Sequence, residues 1–369
     1  MNSCIEPLGE STGACPPPLP TMLSGLTENL SALVARRFAA AKQSGALIFS
    51  PTEVTTILVS NIPFQLRHCP ALAGKPVNNP AHNAEQRTVI LKLDPFHDPP
   101  EDLLITQFPL SEPSHILVLN KFPVIPDHFI IATKAFKPQT DLLEKEDLLA
   151  TFQCLKAWQK HDGPEGSKRL FAFFNSGEHS GASQPHRHLQ FLPVERMTQA
   201  GDEQWKPLID GNSSSAYGDF NYPNSFNLPF ACYAVNLPGE PSADELHQSY
   251  IQLYRMAVRA AQGIAGPQSK NADPKSLKTE GPSVISYNLS MTTTRMVICP
   301  RRSESTWIPI DSKDQNKSRE VGLIRLNGTI LAGTLMVKVE AEWNALRNQP
   351  RILESALKTI GFPDPDLRS

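Results

Sequence analysis

Between Asn175 and Gln190 the chain reads NSGEHSGASQPHRHLQ, and three features of this stretch coincide. His186, His188 and Gln190 alternate. On a strand, alternate side chains share a face, so two imidazoles and an amide line one side while Arg187 and Leu189 turn away. Ahead of them, Gly177, Ser180, Gly181, Ala182 and Ser183 make a loop of small residues. Such a loop lets backbone N–H groups approach an anion, and its hydroxyls add donors. Pro185 stiffens the entry to the strand. A neutral imidazole nitrogen is a good nucleophile near pH 7, and phosphorus is a suitable target. Attack gives a covalent phosphoramidate that a second acceptor can displace. A hydrogen bond that fixes the proton on one ring nitrogen leaves the lone pair of the other free. A neighbouring amide can hold a phosphate oxygen without competing as an acid.

The same residues admit other chemistry. H-x-H on a strand is also a metal-ligand spacing. No nearby Asp, Glu or Cys at short spacing completes a four-ligand set, so no tightly bound metal is expected. Two histidines that merely satisfy each other's surroundings are the plainest alternative. A serine nucleophile fits poorly because no G-x-S-x-G elbow occurs. Neither a Walker A sequence nor a G-x-G-x-x-G fingerprint is present.

The elements that must position these groups are those of a globular chain of 369 residues, 40% hydrophobic and 20% charged. No apolar run approaches the roughly 18–20 residues of a membrane span. A net charge of −2 gives no basic surplus for nucleic acid. Proline is the outlier, 34 residues, which predicts many loops and interrupted strands. Cys4, Cys15, Cys69, Cys154, Cys232 and Cys299 show no C-x-x-C spacing, and Met1–Pro20 lacks the basic-then-apolar pattern of a secretory signal. The expectation is a reduced cytoplasmic protein with buried thiols, with the nucleus as an alternative compartment.

Residues 1–24 read as a flexible tail, 25–200 as an N-terminal half carrying the histidine motif, and 201–369 as a C-terminal half with a mobile loop at 266–282. A helix is predicted over Thr27–Ser44, capped by Thr27 and ended by Gly45. Short apolar runs follow at Thr55–Val59 and Thr88–Leu93. Strands are predicted at Ile116–Leu119 and Phe129–Ala132, a helix at Asp141–Lys160, and strands at Leu170–Phe174 and His186–Leu192. Ser242–Glu245 fits a capping box opening a helix to Gly263. Further strands are predicted at Ser283–Met291, Arg295–Pro300, Val321–Leu326 and Thr334–Val339, and a helix from Pro350 to before Gly361. His115–Thr133 and Val284–Arg301 echo each other as strand–turn–strand units with Asn120 and Asn288 near the turns. Between the last two predicted strands, Asn327-Gly328 also reads as a plain hairpin turn.

Taken together, these residues resemble the transferase branch of the histidine triad superfamily, in which Gln takes the third triad position. The branch contains galactose-1-phosphate uridylyltransferase and the fungal diadenosine tetraphosphate phosphorylases, also called ATP adenylyltransferases. The chain is more similar to the phosphorylases. The resemblance is carried by LNKFPVIPDHFIIATK (Leu119–Lys134) with Gln139-Thr140-Asp141, by Phe173–Gln190, by SYNLSMT (Ser286–Thr292) with ICPR (Ile298–Arg301), and by PALAGKP (Pro70–Pro76). It runs from about Ser31 to Pro363.

The resemblance implies an α+β fold of two histidine-triad-like halves in one chain around a mainly antiparallel sheet, like the uridylyltransferase, and a monomer. It implies phosphorolysis of diadenosine tetraphosphate with phosphate to ADP and ATP, through an AMP-histidine on His188. Side activity on ADP or adenylyl sulfate goes with it. His186 orients His188 through its backbone carbonyl. Gln190 and Ser183 grip phosphate oxygens, with Gly181, Ala182 and Gln184 in the phosphate loop. Asn175 meets the nucleotide or phosphate, Asn120 and Lys121 the nucleotide, and Lys75 a phosphate. Asn327, Gly328, Thr329 and Lys338 hold the far nucleotide. A divalent cation, Mg²⁺, accompanies the polyphosphate, and neither nucleic acid nor membrane is a partner. The chain departs from the pattern at Pro185, where the phosphorylases have Asp and the uridylyltransferases Pro. It also has Ala182 in place of a serine, and Glu178-His179 where a small or apolar pair is common. A sugar-phosphate uridylyltransferase, a dinucleoside polyphosphate hydrolase and a non-catalytic nucleotide sensor are the competing readings.

Overall fold

The aromatic and β-branched runs FIIAT and LFAFFNS become central strands of a long antiparallel sheet, because only such strands can bury both faces. In the computed structural model, which describes residues 29–73, 94–159, 168–198, 205–211, 220–221, 228–263, 277–310 and 320–365, the elements run in this order. First come α1 (Leu30–Ser44), β1 (Glu53–Val59), β2 (Ile62–His68), β3 (Leu104–Phe108), β4 (His115–Leu119), β5 (Phe129–Thr133) and α2 (Lys145–Gln159). Then follow β6 (Leu170–Ser176), β7 (His188–Pro193), α3 (Val194–Met197), β8 (Phe220–Asn221), β9 (Tyr233–Asn236) and α4 (Ala243–Ala261). Last are β10 (Ser286–Met291), β11 (Arg295–Arg301), β12 (Ser305–Ile310), β13 (Glu320–Arg325), β14 (Thr334–Val337), α5 (Glu340–Asn348) and α6 (Arg351–Ile360).

Nine strands form one sheet in the order β3-β4-β5-β7-β6-β10-β11-β9-β8, every neighbouring pair antiparallel. The fold is therefore the mixed α+β class with a mainly antiparallel sheet that the resemblance implied. Its order contains a repeat. The unit β4-β5-α2-β6-β7 recurs as β8-β9-α4-β10-β11, and the two units meet edge to edge at β6 and β10 in mirrored order. This corrects the echo expected from sequence. Val284–Arg301 occupies the place of β6–β7 in the repeat, not that of the hairpin His115–Thr133, since equal strand–turn–strand patterning does not encode sheet position.

Period-2 alternation sorts the side chains. Leu117, Phe129, Ile131, Phe174, Leu189, Phe191, Tyr287, Leu289 and Ile298 pack on one face against α1, α2 and α4. Phe171, Phe173, Leu192, Ala234, Val297 and Cys299 face the other way, toward α5, α6 and the small sheet β1-β2-β14. The histidine motif lies on this second face. Cys69, Cys154, Cys232 and Cys299 are buried thiols. No described helix is long and apolar enough to cross a membrane.

Several boundaries move for local reasons. α1 begins at Leu30 because Asn29, not Thr27, caps it, Asn29 Oδ1 accepting from the Ala32 N–H at 2.7 Å. Thr27, the tail, Thr88–Leu93 and most of the 266–282 loop lie outside the described residues. Asn327-Gly328 is not a hairpin turn. β13 pairs with β12, and β14 joins β2 in parallel, so the segment between β13 and β14 crosses from one sheet to another. The sequence reading missed β12 because Pro309 interrupts it, and α5 because no side chain caps its start.

The capping box is formed: Ser242 Oγ accepts from the Glu245 N–H at 3.2 Å, and a Glu245 carboxylate oxygen accepts from the Ser242 N–H at 2.8 Å. Replacing Ser242 with Ala should cost about 1 kcal/mol. Urea unfolding should read this as a lower midpoint at unchanged slope.

Candidate active site

β5, β7 and β6 lie side by side, with His188 opposite Ala132 and Gln190 opposite Phe173 and Ile130. His188 opens β7. His186 precedes it in an isolated bridge to Pro138, so the strand predicted from His186 is regular only from His188. Both rings nevertheless reach Phe96, with centroids 5.7 Å (His186) and 5.1 Å (His188) away.

His188 Nδ1 lies 2.8 Å from the His186 carbonyl oxygen. A carbonyl only accepts, so Nδ1 carries the proton and Nε2 keeps its lone pair. The ring is 2% exposed, and burial lowers its pKa from 6.5 to about 4. The imidazole is therefore neutral at physiological pH, the form that can donate electrons to phosphorus.

His186 is held at both nitrogens. Nδ1 lies 2.6 Å from the Asp94 carboxylate and Nε2 3.0 Å from the Thr133 hydroxyl. Asp94 also accepts from the Phe96 N–H at 3.0 Å, a tight turn that lays the Phe96 ring over the two imidazoles. Phe136 adds a further face at 5.2 Å from His186.

Gln190 is oriented by a residue the sequence reading did not single out. His128 Nε2 is 3.1 Å from Gln190 Oε1, and His128 Nδ1 is 3.1 Å from Asn120 Nδ2. One assignment satisfies both: His128 donates to the Gln190 oxygen and accepts from the Asn120 amide. The NH₂ end of Gln190 is thus the end His128 does not hold. Asn120 is further tied by the Phe122 N–H at 2.9 Å, while Lys121 in the same turn is exposed.

On the opposite sheet face, Arg187 is buried between the strand and the start of α2. Its Nη1 donates to Asp147 at 2.9 Å and Glu144 at 2.8 Å, and Asp147 also meets His115 at 3.0 Å. This pins β7 to the start of α2.

The second half of the chain reaches the site through Asn175. Its Oδ1 accepts from Asn288 Nδ2 and from the Gly328 N–H, both at 2.9 Å. Asn288 Nδ2 also donates to the Ser180 carbonyl at 2.9 Å, and Asn288 Oδ1 accepts from Arg301. The Arg301 guanidinium donates as well to the Leu326 and Ser303 carbonyls at 2.9 and 2.8 Å. Burial lowers its pKa to about 10, so it stays cationic at neutral pH. Gly181 has a positive φ of 79°, and a Cβ there would stand 2.8 Å from the Asn327 side chain. A Cβ on Gly328 would stand 2.8 Å from Asn175 Oδ1. Both glycines allow the loop ahead of the histidines and the Asn327 turn to touch.

The structure thus gathers Asn175, Gly181, Asn327 and Gly328 at one junction. Thr329 is spent inside its own turn, its hydroxyl within 2.9 Å of Asn327 Oδ1 and 2.8 Å of the Thr334 carbonyl. Ala182 and Gln184 are half-buried in the loop and Ser183 is exposed. Lys338 follows β14 near Glu342. Lys75 lies outside the described residues. Sequence reasoning missed Asp94, Phe96, Thr133 and His128. Only the PDHF sequence within an already quoted motif could have drawn attention to His128. Asp94 is 92 residues from His186 and left no local signal. Among the described residues no cluster of three or more His, Cys, Asp or Glu is arranged to hold a metal ion.

Comparison with known proteins gives a consistent result. Residues 22–209 match the family model for the Ap4A phosphorylase N-terminal domain, and residues 226–363 that for the ATP adenylyltransferase C-terminal domain. Diadenosine 5',5'''-P1,P4-tetraphosphate phosphorylase 2 of Saccharomyces cerevisiae is 27% identical over 352 residues, covering 92% of this chain and 96% of that protein. Protein APA1 of the same yeast is 27% identical over 351 residues, covering 91% and 95%. The crystal structure of yeast Ap4A phosphorylase Apa2 in complex with Ap4A superposes with a TM-score of 0.66 at 24% identity, covering 91% of this chain and 98% of that one. That likeness is one of fold.

The His188 pKa has a consequence for stability. It is lower in the folded state than the ordinary 6.5, so between pH 6.5 and 4 the unfolded chain binds a proton that the folded chain does not. Stability from this group is full above about pH 6.5 and falls as the pH drops toward 4, by up to roughly 3 kcal/mol. A His188→Gln variant should lose less stability than the wild type between pH 7.5 and 4.5, measured by urea unfolding at each pH.

Proposed function

The chain belongs to the family of Ap4A phosphorylases and ATP adenylyltransferases, nucleotidyltransferase-type enzymes, and on that premise we propose that it splits diadenosine tetraphosphate with inorganic phosphate into ATP and ADP by double displacement on His188. The observation that carries this reading is the neutral, buried His188 with Nδ1–H tied to the His186 carbonyl and Nε2 bare.

In the first step the Nε2 lone pair forms a bond to the α-phosphorus of one adenosine, and the bond from that phosphorus to the bridging oxygen breaks, releasing ATP. As Nε2 gives up its electrons, positive charge develops on the ring, and the Nδ1–H bond to the His186 carbonyl strengthens. An interaction that grows with the charge favours the transition state over the bound substrate. In the second step an oxygen of inorganic phosphate attacks the same phosphorus, the N–P bond breaks, and ADP leaves. The imidazole returns to its neutral, Nδ1-protonated form. Across both steps diadenosine tetraphosphate and phosphate become ATP and ADP.

The surrounding groups take matching roles in this reading. The Gln190 NH₂ and the Gly181–Gln184 loop hold non-bridging oxygens. Asn175, fixed by Asn288 and Gly328, faces the phosphates, Asn120 and Lys121 meet one nucleoside, and Lys75 meets a phosphate. Asn327, Gly328 and Lys338 serve the second nucleotide, and Thr329 acts by holding that turn. A divalent cation such as Mg²⁺ travels with the polyphosphate as charge neutraliser. ADP and adenylyl sulfate are side substrates, and the enzyme works as a monomer because both halves of the site lie in one chain; its buried free thiols fit a reducing compartment, cytoplasm or nucleus.

Incubation with diadenosine tetraphosphate labelled in both α-phosphates should leave an acid-labile, base-stable label on the denatured chain. ADP and continued turnover should require phosphate, whereas without phosphate ATP should appear only as a burst stoichiometric with the label. His188→Ala should abolish the label and lower turnover by several orders of magnitude with nucleotide binding largely kept. An Ala variant with even a tenth of the activity contradicts the mechanism. Continued turnover to AMP without phosphate indicates a hydrolase, and preference for a UDP-sugar donor indicates the uridylyltransferase chemistry.

A further inference from the structure

β6 and β7 pair from Leu170 opposite Pro193 to Phe173 opposite Gln190. Two residues further on in that register, the next hydrogen-bonded rung would join Asn175 to His188. Both residues are still within their strands, yet the rung is not made. The side chain of Gln139 stands in its place. Its Oε1 accepts from the His188 N–H at 2.7 Å, and its Nε2 donates to the His188 carbonyl at 3.2 Å and to the Asn175 carbonyl at 2.8 Å. These are the bonds a neighbouring strand would exchange with His188, supplied here by a carboxamide. Gln139 is 3% exposed, and its own N–H donates to the Pro185 carbonyl at 2.7 Å.

We propose that Gln139 is a positioning residue of the transfer reaction: its carboxamide replaces one peptide rung, wedges β6 from β7 at the mouth of the phosphate loop, and fixes the main chain of the nucleophile. The claim rests on the adenylyl-transfer reading above. The His188 ring is aimed by a bond to the carbonyl two residues earlier, so its direction depends on the His186–His188 backbone. A ladder would hold that backbone, but a direct Asn175–His188 rung would draw the strands to the usual ~4.8 Å spacing. An inserted amide keeps the hydrogen bonds while leaving the strands apart. It also ties His188 to Asn175, the residue that meets Asn288 and Gly328 of the second half. Gln139 touches neither reacting nitrogen, so it acts through His188.

The test uses Q139M, which keeps the length but has no strong hydrogen-bonding group, and Q139E, which keeps an acceptor and loses both donors when ionised. For the full chain at saturating diadenosine tetraphosphate, Q139M should lower kcat and the single-turnover rate of AMP-enzyme formation by about 10- to 100-fold, as sub-ångström misplacement of a nucleophile does. KM should stay within about threefold. Q139E should regain activity as the pH falls, because a neutral carboxyl recovers one donor, a limb absent from the wild-type profile. Nitrogen-15 spectra of ring-labelled histidine should show one His188 tautomer in the wild type and a mixture in Q139M.

A folded Q139M with wild-type kcat and a single tautomer overturns the proposal. So does a loss of activity that merely follows the folded fraction measured by circular dichroism. If Q139M does not fold, the pH limb of Q139E decides, and its absence counts against Gln139. A wild type that takes no label refutes adenylyl transfer instead, and the tautomer comparison then still decides whether Gln139 holds the ring.

Discussion

A single hydrogen bond, from His188 Nδ1–H to the carbonyl of His186, sets the terms for everything around it. It spans only two residues, so it can form only where the backbone between them is held still. It leaves a basic nitrogen bare inside a buried site, so the surroundings must keep that nitrogen unprotonated. Both requirements explain features that would otherwise look unrelated. Arg187 is locked to α2 behind the strand, Gln139 braces its edge, and Asp94 and Thr133 clamp the preceding ring. Phe96 packs against both rings, and burial of the site is what depresses the His188 pKa.

The second constraint is the seam between the two repeated units. Sheets usually join through apolar side chains, but β6 meets β10 with Asn175 directly opposite Asn288. Their amides bond to each other, to Gly328 and to Arg301, whose buried charge is answered mainly by neutral oxygens. A polar network of this kind is costly if any member is unpaired, so it tolerates little relative movement of the halves. The result is that the loop ahead of the histidines and the Asn327 turn, 146 positions from Gly181 in the chain, are held in contact. The repeat is also functionally uneven. β6–β7 carry the histidines, whereas β10–β11, in the corresponding places, contribute the support.

The layout of the histidine stretch was legible from residue order alone, because alternation on a strand is a local property and small residues before it are a local signal. Gln190 and His188 fall on the face that period 2 assigns them. The capping box at Ser242, the end of α1 at Gly45 and the buried strands at Leu170 and Phe129 depend on near neighbours and were equally readable. Family resemblance extended this to the fold class and to the role of the His186 carbonyl.

Sheet order and the partners of the site were decided only by tertiary structure. Nothing local tells β14 to run parallel to β2, or places Val284–Arg301 as the counterpart of β6–β7. Asp94, His128 and Gln139 meet their partners at separations of 92, 62 and 49 residues, and each makes the hydrogen bond that any buried polar group needs. Such bonds select for proximity in space, and one sequence carries no record of which distant donor answers which acceptor. The amino-acid order thus specified an imidazole face and the chemistry proposed for it, while the folding of the chain determined how the His188 ring is aimed, dried and held.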